Sequence, residues 1–112
     1  IINSIKKIMK KYDFIIVSVI SPLKKTRIKA KKIFGSNYYE VFLNPSIKTL
    51  RLRDTKNLYS KADKGLINNV IGYNSIISYE KSIYSKITID TGKSSVLNSR
   101  KIILNKIFNE NK

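Results

Sequence analysis

The chain has 112 residues, 42% of them apolar, and a formal net charge of +16. That length suits one domain or part of one, and the apolar fraction is enough for a folded core. The sequence contains no cysteine and no histidine, which excludes disulfides, thiolate metal sites and the usual Cys/His zinc sites. Any acid–base chemistry must therefore use Asp, Glu, Lys or a bound ligand.

The apolar runs are too short to span a bilayer, which needs about 20 such residues. The longest is the segment 14–20, and the lysines near the amino terminus do not form the block that precedes a signal peptide's apolar core. The first residue is Ile rather than Met. We therefore expect further residues before Ile1 in the parent protein.

The charge has two interpretations. A strongly basic chain attracts polyanions, so the protein could be a non-catalytic one that binds nucleic acid or anionic surfaces. The excess is nearly all Lys, with much Ile and Asn, a pattern typical of an A+T-rich genome. We favour that compositional origin and do not expect specific nucleic-acid binding. A nucleic-acid binder would need one continuous basic face, whereas an enzyme for anionic substrates would need cations at the ends of its strands.

Helices and strands alternate along the chain. The segment 1–12 places Ile on one face and Lys on the other, which predicts an amphipathic helix. The segment 14–20 is a β-branched run that predicts a strand buried on both faces, as in parallel sheets. Further helices are predicted at 24–34, 45–54 and 56–64 and after a capping Ser94 or Ser95, further strands at 38–43 and 86–90, and an irregular loop at 66–85.

This order predicts an α/β fold with a parallel sheet and flanking helices. Three strands make a thin sheet for so many helices, so we expect additional strands before Ile1. Ligands of such sheets bind beyond the carboxyl ends of the strands. Ser21, Asn44 and Thr91 are the residues expected at those ends.

Gly92-Lys93-Ser94 stands between a predicted strand and a predicted helix, like the end of a Walker A loop. The full motif requires a glycine five residues before Gly92, and that residue is Ile87. We therefore interpret the tripeptide as a turn with a capping serine.

A longer series of residues is more specific. Ser21-Pro22 is followed by Arg27, then by the stretch EVFLNP at 40–45. Further matching positions are Arg53-Asp54, Lys56, Leu58-Tyr59, Lys61-Ala62, Gly65, Ile67, Asn69, Gly72, Ser75, Tyr79-Glu80 and Asp90-Thr91. The series resembles the carboxyl-terminal half of the adenylylsulfate (APS) kinase family without a gap from about residue 14 to about residue 91. The resemblance implies a P-loop-kinase-like sheet, with residues 1–112 forming a partial domain whose amino-terminal strands and Walker A loop are missing.

The family's reaction is ATP-dependent phosphorylation of the 3′-hydroxyl of adenylyl sulfate, which activates sulfate in the cytoplasm. The resemblance thus implies ATP and Mg²⁺, with the Mg²⁺ ligands outside this chain, and a possible homodimer. Because the phosphate-cradling loop supplies much of the stabilisation in phosphoryl transfer, we expect the chain alone to be inactive.

The resemblance also implies individual roles. Ser21 matches the family's phosphoserine position and is the candidate catalytic residue. The residues implied to bind adenylyl sulfate are Ile20, Ser21, Lys56, Asn69 and Val70. Those implied to bind ATP are Arg53, Ser94, Ser95 and Ser99.

Two residues depart from the family pattern, and one of them, Val70, matches with Asn69 the family's lid segment over the adenine of adenylyl sulfate. Val70 replaces a phenylalanine, which removes a stacking surface worth about 1–3 kcal/mol by analogy with nucleic-acid bases on aromatic side chains. Asn74 replaces an acidic residue.

Overall fold

The computed structural model describes residues 1–82 and 84–109. Within them the chain forms an α/β arrangement whose elements are α1 (Ile2–Ile8), α2 (Lys24–Phe34), a 3₁₀ turn (Gly35–Asn37), β1 (Val41–Leu43), α3 (Ile47–Leu52), α4 (Leu58–Asp63), β2 (Ile87–Ile89) and α5 (Val96–Asn109). Every predicted helix is present, and most are shorter than predicted. The order of helices and strands confirms the predicted fold class.

The two strands of the described sheet are parallel, as predicted. Val41 pairs with Ile87 and Leu43 with Ile89. Ile87 and Ile89 are 3% and 2% exposed and form the centre of the core, and α5 contacts β2. The connection from β1 to β2 runs through α3, α4 and the irregular loop, because parallel strands need a long crossover connection.

The strand predicted at 14–20 is not found. The segment carries no regular secondary structure, and Ile16 and Ile20 are 94% and 62% exposed. A strand needs a hydrogen-bonded neighbour, and no strand in the described part of the chain pairs with this one. Phe14 makes an edge contact with Phe108 of α5, with ring centroids 5.6 Å apart. The described sheet therefore has two strands rather than three.

Side-chain caps set where the helices begin. The helix predicted to start at Pro45 starts at Ile47, and Ser46 caps it with a hydroxyl that accepts from the Thr49 amide at 3.1 Å. The carboxylate of Asp54 caps α4 by accepting from the amides of Leu58 and Ser60 at 2.7 and 2.8 Å. Such bonds satisfy the amides that the first turn of a helix leaves unpaired, so α4 begins at Leu58 rather than at residue 56.

Of the two serines predicted as possible caps of α5, Ser95 is the cap, since its hydroxyl accepts from the Asn98 backbone amide at 3.2 Å. In the turn before it, the amides of Lys93 and Ser94 both donate to the carbonyl of Asp90. These amides are used within the turn, which confirms its interpretation as a strand–helix turn rather than a phosphate loop.

The remaining features follow the predictions more loosely. The helix predicted at 1–12 ends at Ile8, and the loop 66–85 has turns and bends but no helix or strand where it is described. No helix among residues 1–82 and 84–109 has the length and apolar character to cross a membrane.

Candidate functional site

The backbone turns sharply at Ser21. Its φ is 39°, a left-handed conformation that non-glycine residues seldom adopt. The Ser21 hydroxyl lies 3.0 Å from that of Thr26. The guanidinium of Arg27 donates to the carbonyls of Ser21 and Pro22 at 2.7 and 3.0 Å. Side chains from the first turn of α2 thus hold the turn through its backbone carbonyls and the Ser21 hydroxyl.

Arg27 joins this turn to two other parts of the chain. The side chain is 5% exposed, its Nε lies 3.3 Å from a carboxylate oxygen of Glu40, and it also donates to the carbonyl of Glu80. Its guanidinium carbon lies 5.2 Å from the ring centroid of Tyr79. That ring stacks on Phe42 of β1 at 5.2 Å. Arg27 therefore connects the Ser21 turn, β1 and the irregular loop.

Glu40 affects the phenol next to it. The hydroxyl of Tyr38 donates to Glu40 at 3.5 Å. Burial first, and then the Glu40 carboxylate, raise the pKa of Tyr38 above its usual value because both disfavour the phenolate. Tyr38 is accordingly a neutral donor at physiological pH and not a base.

A second turn follows β2 and is held by another arginine. Arg53, at the end of α3, donates to the carbonyl of Thr91 at 2.7 Å and lies 3.4 Å from its hydroxyl. Unlike Arg27, it is exposed. Asn44 lies beside this turn, because its amide donates to Ile89 at 2.8 Å. Asn44 and Thr91 therefore lie at the carboxyl ends of the strands, as predicted, whereas Ser21 follows a segment that is not a strand.

The serines predicted to bind ATP lie directly beyond the Thr91 turn. The hydroxyl of Ser99 donates to that of Ser94 at 3.0 Å, and the side-chain Nδ2 of Asn98 donates to the Ser94 hydroxyl at 3.1 Å. Ser95 is occupied in capping α5. The structure thus brings Ser94 and Ser99 together and gives Ser95 a helix-capping role.

Lys56 projects from the turn between α3 and α4 and is exposed. The turn closes through a 2.9 Å bond from the Asn57 amide to the Asp54 carbonyl. Desolvation raises the pKa of the Asp54 carboxyl, but bonds from the amides of Ser60, Tyr59 and Leu58 outweigh it and hold that pKa below its usual value. An ionised Asp54 therefore fixes the turn that presents Lys56.

Asn74 holds together the loop segment that contains Asn69 and Val70, the residues predicted to form a lid. Its amide oxygen accepts from the backbone of Val70 at 3.0 Å, and its amide nitrogen donates to the carbonyl of Ile67 at 2.6 Å. An acidic side chain could make only the first of these bonds. The replacement of the family's acidic residue by Asn74 therefore supplies this segment with an additional hydrogen bond.

Next to the lid, Tyr73 donates to Asp63, which also pairs with Arg51. The hydrogen bond to Asp63 is the main cause that raises the pKa of Tyr73. Arg51 and Asp63 help to line a shallow groove with Asp54, Tyr59, Ser60 and Lys64. None of the residues predicted to bind substrate lines that groove.

The residues predicted to bind adenylyl sulfate do not form one enclosed site. In the described part of the chain, no hydrogen bond or ion pair joins Ser21, Lys56 and Asn69 to one another. Ile20 and Asn69 are exposed, and Val70 is half-buried. These groups present a cation, backbone turns and an apolar surface that could be completed by a ligand or by further protein.

Sequence reasoning assigned no role to Arg27, Glu40, Asp54 or Asn74. One usable signal was the combination of an arginine in the first half of a basic helix with an acidic residue, Glu40, directly before the next strand. Asp54 four residues before Leu58 was a possible cap. The bonds of Asn74 were not foreseeable, because they depend on the shape of an irregular loop.

The arrangement suits anion binding more than proton transfer. Exposed Arg53 and Lys56 can pair with phosphate or sulfate groups, and the serine hydroxyls can donate to them. Among residues 1–82 and 84–109 there is no group of three acidic or other metal-ligating side chains.

The chain was compared with known proteins. The family model described as adenylylsulphate kinase matches residues 1–90. The adenylyl-sulfate kinase of Clostridium acetobutylicum is 36% identical over 80 residues, which are 71% of this chain and 39% of that protein. The adenylyl-sulfate kinase of Pseudomonas aeruginosa is 38% identical over 78 residues, 69% of this chain and 39% of its own.

An archaeal relative shows the same relation. The probable adenylyl-sulfate kinase of Pyrococcus abyssi is 31% identical over 91 residues, which are 81% of this chain and 51% of that protein. The chain thus spans about two fifths to one half of the relatives it matches. No solved structure matches the chain significantly.

Proposed function

The chain belongs to the adenylylsulfate kinase family, and we propose that it is the substrate-binding part of an enzyme that phosphorylates the 3′-hydroxyl of adenylyl sulfate with ATP. The products would be ADP and 3′-phosphoadenylyl sulfate. The observation that carries the proposal is the position of two exposed cations. Arg53 contacts Thr91 at the end of β2, and Lys56 occupies the turn that follows α3. Ligands of parallel sheets bind at this end of the strands.

The two cations would serve different substrates. Arg53 has a planar guanidinium that can lie against a purine, and it would contact the ATP adenine together with the hydroxyls of Ser94 and Ser99. Lys56 would pair with the anionic phosphosulfate of adenylyl sulfate. The lid residues Asn69 and Val70 would cover the adenine of that second substrate.

Ile20 and Ser21 would contact adenylyl sulfate through their backbone. The left-handed conformation of Ser21 presents backbone groups that an ordinary extended segment would not. Phosphoryl transfer between two bound nucleotides needs no covalent intermediate, so the proposal does not require Ser21 to be phosphorylated. Its hydroxyl already lies at hydrogen-bond distance from Thr26.

ATP would be the co-substrate, and Mg²⁺, when bound, would neutralise charge on the phosphates. The described residues offer no acidic cluster for a metal, so the proposal assigns no metal ligand to this chain. The sequence also contains no G-x-x-x-x-G-K-[ST] motif. Activity therefore requires a Walker A loop from outside these residues. A role in sulfate activation, a cytoplasmic location and a homodimer are parts of the same proposal.

The test is a chimera in which this chain replaces the matched region of the Clostridium acetobutylicum relative and follows that protein's P-loop. Formation of 3′-phosphoadenylyl sulfate from ATP and adenylyl sulfate is measured for the chimera and for the 112-residue chain alone. We expect turnover by the chimera and none by the chain. Turnover by the chain alone would contradict the assignment of catalysis to the P-loop, and a folded but inactive chimera would contradict the proposed function.

A further inference from the structure

The Ser21 turn is held by a single guanidinium that also holds a distant loop. Arg27 donates to the carbonyls of Ser21 and Pro22 at 2.7 and 3.0 Å and to that of Glu80. The amide of Glu80 in turn donates to the Pro22 carbonyl at 3.0 Å. Because the N–H groups of a guanidinium are fixed in one plane, these bonds determine how the two segments lie relative to each other.

Stability alone does not explain a buried charge at this place. The side chains of Arg27 and Glu40 are 6% and 8% exposed, and a buried ion pair is often no more stable than a well-packed apolar pair. The pair is also not arranged for the best contact, because Oε1 of Glu40 accepts no hydrogen bond in the described part of the chain. The carbonyls of the turn, rather than the carboxylate, orient the guanidinium.

The conformation of Ser21 needs such a restraint. A serine with φ of 39° persists only where its surroundings fix it, and such residues are concentrated at ligand sites. The Arg27 bond to the Ser21 carbonyl is a restraint of this kind. Residues 16–20, which precede Ser21, are exposed and carry no regular structure, so they do not supply one.

We propose that Arg27 is a positioning residue for adenylyl sulfate: it fixes the Ser21–Pro22 turn in the conformation that binds this substrate. The inference rests on the proposed function, which places the substrate against the turn. Arg27 itself does not touch the substrate, because its side chain is buried on the protein side of the turn.

The test uses two changes in the full 112-residue chain. Arg27→Lys keeps the charge but removes the planar fork. The double variant Arg27→Met with Glu40→Met removes both buried charges, so it separates positioning from the loss of stability that an unpaired carboxylate would cause. The matched control is Arg100→Lys, the same chemical change at an exposed position of α5.

Two quantities are measured. Amide hydrogen exchange at Glu80 reports the bond to Pro22, relative to the amide of Asn44, which is bonded to Ile89. Calorimetric titration gives the Kd for adenosine 5′-phosphosulfate. For both Arg27 variants we expect exchange at Glu80 to accelerate about tenfold relative to Asn44 and Kd to rise about tenfold. The control should change neither by more than about twofold.

Each outcome decides a separate point. Unchanged Glu80 exchange in Arg27→Lys would overturn the inference whether or not the substrate binds. Faster exchange with an unchanged Kd would show that Arg27 orders the turn without positioning the substrate, and would also overturn it. If the unaltered chain does not bind adenosine 5′-phosphosulfate, the inference that Arg27 positions this substrate in this chain is overturned, whereas the proposed function is decided separately by turnover of the chimera. The exchange data would then still show whether Arg27 holds the turn.

Discussion

Two turns of this molecule are each held by an arginine that donates to a backbone carbonyl, and the two arginines differ in burial. Arg27 contacts the carbonyl of Ser21 at 2.7 Å and is 5% exposed. Arg53 contacts the carbonyl of Thr91 at the same distance and is exposed. The same chemical contact therefore occurs in two very different environments.

The difference indicates two kinds of role. A buried guanidinium must be paired, because desolvating a charge is costly, and Arg27 meets this requirement with Glu40, three carbonyls and the ring of Tyr79. It is then inaccessible to a ligand. An exposed guanidinium stays in contact with water, and a bound nucleotide can replace that water. Burial thus suits Arg27 to a structural role inside the protein, and exposure leaves Arg53 able to contact a ligand.

The largest expected effect is on stability. Arg27→Met leaves the Glu40 carboxylate buried without its partner and should lower the free energy of unfolding by about 3–5 kcal/mol. The matched change Arg53→Met removes an exposed contact and should cost less than about 1 kcal/mol. Urea denaturation followed by circular dichroism measures both.

The double variant at Arg27 and Glu40 sharpens this contrast. With both charges removed, most of the lost stability should return, because no unpaired charge remains. Equal losses for Arg27→Met and Arg53→Met would show that burial does not distinguish the two turns.

A smaller effect is expected where the Thr91 turn packs on α3. A Cβ at Gly92 would lie 2.7 Å from the hydroxyl oxygen of Thr49 and 3.0 Å from a carboxylate oxygen of Asp90. Gly92→Ala should therefore destabilise the chain by about 1–3 kcal/mol, as other overpacking changes do.

Removing the closest neighbour checks this explanation. Combining Gly92→Ala with Thr49→Ala should recover part of the loss in a double-mutant cycle measured by thermal denaturation. Additive effects of the two changes would mean that the Thr91 turn is not held by this packing.

The smallest effect concerns Asp54, whose ionised form caps α4 below the Lys56 turn. Because its pKa is lower in the folded chain than the ordinary 3.8, its contribution to stability is present above that pH and is lost as the pH falls through the folded value. Asp54→Asn should be less stable than the unaltered chain at about pH 6, and the difference should shrink at about pH 3. A difference that is the same at both pH values, measured by urea denaturation, would contradict the capping role.

The local part of the fold was predictable from the sequence. The helices α2, α3, α4 and α5 follow from apolar spacing and from caps such as Ser46 and Ser95, which act within a few residues. The segment 14–20 has the composition of a buried strand, but a strand forms only with a neighbour. The prediction of a buried strand at 14–20 was therefore wrong for the described chain, because composition does not supply the partner strand on which both pairing and burial depend.

The candidate site was predictable to a lesser extent. The resemblance located Arg53 and the serines of the Thr91 turn, which the structure brings close to the end of β2. It did not identify Arg27 as the residue that connects the Ser21 turn to the irregular loop, because the bond to Glu80 joins residues 53 positions apart. It also did not anticipate the two hydrogen bonds of Asn74. From the sequence alone, Asn74 is only a position where an acidic residue is absent, and its partners become known only from the conformation of the loop.

The central claim, that Lys56 and Arg53 serve different substrates, is tested most directly by steady-state kinetics of the chimera that carries a P-loop. Lys56→Ala should raise the KM for adenylyl sulfate roughly ten- to a hundredfold and leave that for ATP nearly unchanged, and Arg53→Ala should do the reverse, because a lost charge-assisted contact costs about 1.5–3 kcal/mol. Lys101→Ala and Arg100→Ala, at exposed positions of α5, are the matched controls and should change neither constant. If both substitutions weaken the same substrate, or neither changes a KM by more than about twofold, the assignment of the two cations to two nucleotides is wrong.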